Sequence, residues 1–224
     1  MDLATWMVAK QLIWMGLLWT AALVRADAAD PVTCGSAIKL LNSRYDVRLS
    51  SPDATYGSGS GQRTVTGNPN QLESGAHWLV KGNATSFCPR GRSVSCSQVI
   101  RLENLGSGKN LHSHNYRSPL SGGLEVSVYG QDGEGDTGDH WQVMCNSEFW
   151  LQGQKVQFRH VDTRTFLEAT GHEYSDHHVE RHVEIAGSLT AGPRATWKTA
   201  EGVFIKPGDQ PATYAPQHNV HTEL

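Results

Sequence analysis

The chain has 224 residues, 38% of them hydrophobic, with 19 Lys+Arg against 22 Asp+Glu and a formal net charge of −3. That balance excludes a strongly basic nucleic-acid binder, and the apolar share suits one core rather than a multi-span membrane protein. Gly is frequent, at 23 residues, which favours a turn-rich chain.

Lys10 precedes an almost wholly apolar stretch, Leu12 to Val24, and the small-residue run Arg25-Ala26-Asp27-Ala28-Ala29 follows. This is the order of a secretory signal peptide: a charged end, a short apolar core, then a cleavage zone. The apolar stretch is 13 residues long, well short of the roughly 20 that span a bilayer. The leader is read as residues 1–26, cleaved after Ala26 or after Ala28. The mature chain then has no spanning segment and is expected to be soluble.

Beyond the leader the chain repeats itself. Ala37–Asn42, Val99–Asn104 and Lys155–His160 each alternate apolar and polar residues, as a half-buried strand does. A second short strand follows each: Val47–Leu49, Asn110–His112 and Phe166–Glu168. A third comes later: Thr64–Thr66, Glu125–Val128 and Val183–Ile185. Each window closes on a tryptophan, Trp78, Trp141 or Trp197, placed 40 residues after Ile38, 41 after Ile100 and 41 after Val156. Four strands recurring three times, at residues 32–86, 94–149 and 150–206, predict an all-β, threefold closed barrel, the β-trefoil. Closure removes exposed sheet edges. The three tryptophans are expected in equivalent buried positions.

All four cysteines lie after the leader, and an even count in a secreted chain points to two disulfides with three possible connectivities. Cys34 and Cys96 each lie four residues before the first strand's Ile, while Cys88 and Cys145 follow the closing tryptophans. If opening and closing strands of a repeat pair, the bonds are Cys34–Cys88 and Cys96–Cys145. Asn83-Ala84-Thr85 is an N-glycosylation sequon. Residues 207–224 carry Pro207, Pro211 and Pro216 and read as an extended tail. The tail ends His221-Thr222-Glu223-Leu224, close to the Lys-Asp-Glu-Leu type of endoplasmic reticulum retrieval signal, with Thr222 in place of the usual Asp. The chain is therefore expected in the endoplasmic reticulum lumen, with partial secretion through the altered signal.

The segments Tyr56–Gln62, Gly108–His114, Gly130–Asp136 and Gly202–Pro207 resemble the stromal cell-derived factor 2 family. The resemblance runs over residues 34–207 and implies three MIR motifs folded as one β-trefoil. The same motif occurs in protein O-mannosyltransferases and in inositol trisphosphate and ryanodine receptors. The resemblance also implies a luminal role in protein quality control and the unfolded protein response, beside a J-domain co-chaperone and its Hsp70. Non-native or glycosylated client proteins and a retrieval receptor complete the expected partners.

Catalytic patterns do not assemble in the sequence. His112 and His114, two apart on a strand, share a face, but no third metal ligand has a defined spacing. The acidic run Asp132, Glu134, Asp136 and Asp139 lacks the EF-hand order. The Gly57–Gly61 run lacks the Lys-Ser/Thr of a P-loop. The expectation is a protein without catalytic residues, metal or cofactor. Two binding readings remain: a chaperone-complex component, and a lectin-like module reading sugars on glycoproteins. For a ligand surface the sequence nominates His112, His114 and Trp150, the last because it is the one mature-chain tryptophan outside the closing positions and lies near Glu148 and Gln152.

Overall fold

The computed structural model describes residues 29–208. The leader and the retrieval residues His221, Thr222, Glu223 and Leu224 lie outside the described residues. Repeat 1 contributes β1 (Ala37–Asn42), β2 (Val47–Ser50), β3 (Arg63–Thr64), β4 (Thr66–Asn68) and β5 (Trp78–Gly82). Repeat 2 contributes β6 (Val99–Asn104), β7 (Lys109–Arg117), β8 (Leu124–Tyr129) and β9 (Trp141–Met144). Repeat 3 contributes β10 (Gln157–His160), β11 (Phe166–Glu173), β12 (Val183–Ser188) and β13 (Trp197–Val203).

The four-strand repeat holds, with one addition. The third strand of repeat 1 is split at Val65, because its two halves serve different neighbours. β3 pairs with β8 and β4 pairs with β2 and β12. Val65 itself donates its amide to Val126 O. The tryptophans open the fourth strands rather than ending the windows.

First and fourth strands form the barrel. β1 pairs with β13 and β5, β5 with β6, β6 with β9, and β9 with β10. The Val156–Trp197 bridge closes the ring. The second and third strands make three hairpins, which meet through β4–β12, β12–β8 and β8–β3. The molecule is a β-trefoil.

Symmetry extends to single atoms. Trp78, Trp141 and Trp197 are fully buried. Their indole N–H groups donate to Leu49 O, Leu111 O and Leu167 O at 2.8, 2.9 and 2.9 Å. Each ring thus fills the core while its one polar atom is satisfied by the second strand of its own repeat. The end of each first strand grips the short 3-10 turn of the preceding repeat. Asn42 Nδ2 donates to Arg194 O, Asn104 Nδ2 to Gly75 O and His160 Nε2 to Gly138 O, at 2.7, 2.7 and 2.8 Å.

The hairpin tips are tied between repeats as well. Buried Glu184 accepts from the Ser118 hydroxyl and from the amides of Leu120 and Ser121, holding the repeat 2 tip. Buried Glu125 accepts from His114 Nε2 at 2.9 Å and from the Ser60 amide, holding the repeat 1 tip. A carboxyl group placed in the interior needs such donors to offset its lost hydration. Thr66 does the same for repeat 3 through His182 Nδ1, 2.9 Å away.

Candidate functional site

The disulfides are Cys34–Cys88 and Cys96–Cys145, with Cα separations of 6.0 and 5.4 Å. Each ties the entry of a repeat to the segment after its fourth strand, as the repeat arithmetic predicts. Asn83 lies in the loop between β5 and Cys88. Its Oδ1 accepts from the Thr85 amide and hydroxyl at 3.0 and 3.2 Å, and from the Ser86 amide at 2.6 Å, forming an Asx turn.

The nominated ligand surface needs correction. Trp150 is fully buried, stacked edge-on against Phe158 at 5.3 Å. Its backbone N–H donates to Val94 O and its carbonyl accepts from Val32 N. It is a core residue that joins the N-terminal segment to the barrel floor, so Glu148 and Gln152 have no exposed indole between them. The sequence misleads here because Trp150 is outside the repeat pattern, and burial by a non-repeating segment leaves no periodic signal.

His112 is also buried, at 5% exposure. Its Nδ1 lies 3.0 Å from Asp139 Oδ1 and 3.6 Å from Asp136 Oδ1. Asp139 is fully buried and its Oδ2 accepts from Asn110 Nδ2 at 3.0 Å. Asp136 Oδ1 accepts from the Gly138 amide at 2.8 Å. Strand β7 and the turn before β9 therefore bring together a His-Asp-Asp group that the sequence did not reveal, since Asp139 reads as part of an exposed acidic loop. Its members are engaged with one another and with their own backbone. His114, directed the same way, is partly buried on Glu125. His112 and His114 lie between Tyr129 and Tyr116 in a ladder of rings 4.9, 5.3 and 5.0 Å apart.

A different surface is uncovered. Ala37 pairs with Leu79 on one side and Val203 on the other. Val203 and Leu105 line one shallow depression with Ala37, and Leu79 lines the next with Phe87. Phe87, Val203 and Leu105 are 85%, 67% and 49% exposed. Exposed apolar side chains gathered in neighbouring depressions are one mark of an interaction surface. No sequence period announces them, because Phe87 and Leu105 sit in loops.

No protein-family profile matches the chain. Human stromal cell-derived factor 2 is 42% identical over 203 residues, spanning 91% of this chain and 95% of that protein. The chain belongs to the stromal cell-derived factor 2 family. The crystal structure of the family's Arabidopsis thaliana member superposes with a TM-score of 0.77 at 38% identity, covering 80% of this chain and 99% of that one. The Saccharomyces cerevisiae protein O-mannosyltransferase complex shares the fold, with a TM-score of 0.69 at 22% identity over 87% of this chain and 29% of that one. Relatives of the family carry the names of factors rather than of enzymes. Among the described residues no helix is long and apolar enough to cross a membrane.

Proposed function

We propose that this member of the stromal cell-derived factor 2 family is a non-enzymatic component of a chaperone and quality-control complex of the endoplasmic reticulum lumen. In this reading it holds a J-domain co-chaperone and its Hsp70 near non-native or glycosylated clients, and it serves the unfolded protein response. The observation that carries it is a disulfide-tied trefoil of this family with an uncovered apolar strip, Phe87–Leu79–Ala37–Val203–Leu105. Burying exposed leucine, valine and phenylalanine against a partner stabilises a complex by about 1.5–3 kcal/mol per side chain before ordering costs.

The test is capture of purified luminal co-chaperone and Hsp70 by the full chain. Wild type should retain the J-domain protein, and the double variant Leu105→Asp, Val203→Asp should lose it while keeping its circular dichroism. Failure of wild type to bind any J-domain protein overturns the reading. The address is tested in cells. Deleting His221–Leu224 with the partner depleted should move the protein to the medium, and Thr222→Asp should strengthen retention, because an acidic side chain can pair with basic receptor groups. Secretion of the intact chain with partners abundant would refute luminal residence.

A second reading, saccharide recognition, has lost Trp150. One observation still favours it: a groove between repeats 2 and 3 rich in serine and threonine.

A further inference from the structure

The three repeats differ at one structural position. Ser50, His112 and Glu168 each follow the leucine whose carbonyl receives the buried indole N–H, and all three are buried. Opposite them, three residues before each tryptophan, stand Gly75, Gly138 and Arg194. In repeats 1 and 2 the glycine is required by close approach. A Cβ on Gly75 would lie 2.9 Å from Ser51 O and 3.2 Å from Ser50 Oγ, and one on Gly138 would overlap the His112 ring. Repeat 3 alone replaces that glycine with a side chain. Arg194 reaches across to Glu168, Nη2 to Oε1 at 2.9 Å, and its Nη1 donates to Thr170 O at 3.1 Å.

Around this pair the surface opens into a groove of about 600 Å³ between β7–β8 and β11–β12. Its far wall is glycine backbone, Gly122, Gly123 and Gly187, where a Cβ on Gly187 would come within 2.5 Å of Thr165 Oγ1. Arg117 stands at that wall, fixed by its Nη1 donating to Gly122 O at 3.0 Å. Thr163, Thr165, Thr170, Ser188 and Thr190 also line it.

We propose that this groove binds a neutral hexose unit. Two facts select that ligand class. A fixed carboxylate beside a fixed guanidinium offers an acceptor and donors to vicinal hydroxyls, and charge-assisted hydrogen bonds of this kind are the strong ones. The Glu168 carboxylate cancels one of the two arginine charges, which lowers the groove's pull on phosphate, sialic acid and acidic peptides. No Phe, Tyr or Trp lines the groove, and its one ring is the His172 imidazole. The apolar face of the sugar meets Leu124, Ala186 and the 81% exposed Leu189 instead, so affinity is weak, with Kd about 1 mM or above.

The proposal deepens the saccharide reading and is independent of the co-chaperone reading. The experiment is a nitrogen-15 NMR titration of the full chain with methyl glycosides of glucose, galactose and mannose, and with inorganic phosphate, sialic acid and an acidic peptide as comparators. At least one glycoside should shift amides of β11, β12 and the Ser118–Gly123 tip. Glu168→Gln, which keeps the shape, should weaken that binding by about tenfold or more. Arg117→Met, at an exposed position, should weaken it without altering the spectrum elsewhere. Glycoside shifts confined to another face would overturn the groove while leaving saccharide recognition standing. No shifts with any glycoside up to saturating concentrations would overturn both. Binding of the anionic probes alone, or binding unchanged in Glu168→Gln, would overturn the ligand class.

Discussion

Repeats 2 and 3 place different chemistry at the same point of one scaffold. In repeat 2, His112 fills the space above Gly138 and is held by Asp139, so the position is closed. In repeat 3, Glu168 and Arg194 are paired with each other on the lining of an open groove. The strands around both are alike, and the indole of each repeat makes the same bond to the same leucine carbonyl. The contrast teaches that the trefoil's stability resides in the repeated core, while each repeat's second strand and 3-10 turn are free to diverge.

The largest expected effect tests the shared part. Trp78→Ala, Trp141→Ala and Trp197→Ala should each cost about 3–5 kcal/mol in urea unfolding. One tryptophan costing less than about 1 kcal/mol would break the equivalence. Next come the disulfides, which repeats 1 and 2 have and repeat 3 lacks. Replacing either pair with serine should cost about 2–4 kcal/mol, and the two losses should be similar because the sequence separations are 54 and 49.

The closed and open positions should then respond differently to substitution. Gly138→Ala forces the His112 ring to move and should cost about 1–3 kcal/mol. The double variant Glu168→Gln, Arg194→Gln removes both charges of the pair, leaves no buried charge unpaired, and should cost less than about 1 kcal/mol. Equal losses would mean that the groove is as tightly packed as its counterpart.

The smallest effect is on pH. His160 stands where the other repeats have Asn42 and Asn104. Burial lowers its pKa below the ordinary 6.5, outweighing the Gly138 carbonyl and Asp162, which favour the charged ring. Burial lowers His182 as well, against the opposing charge of Glu73. The folded protein therefore binds these protons less readily than the unfolded chain. Their contribution is present above the unfolded pKa of about 6.5 and is lost as pH falls below it. His160→Asn should preserve the bond to Gly138 O and flatten part of the decline between pH 7 and 5. An unchanged pH profile would show that His160 titrates as a free imidazole.

Much of this architecture was legible in the chain. Alternation marked most of the strands, the tryptophan interval marked the three repeats, and position within a repeat chose the cysteine pairs. These features follow from local geometry applied three times, and repetition makes a weak signal strong. Asp139 reads as a surface acid until the turn before β9 folds under His112. Trp150 reads as an exposed ring until the N-terminal segment covers it. Phe87, Leu105 and Val203 come from different loops and a strand end, and only the pairing of Ala37 with both Leu79 and Val203 brings their depressions side by side. Glu168 and Arg194 are 26 positions apart in an ordinary polar stretch. Their pairing depends on which residue stands opposite in each repeat, a distance in space that the order of residues along the chain does not encode.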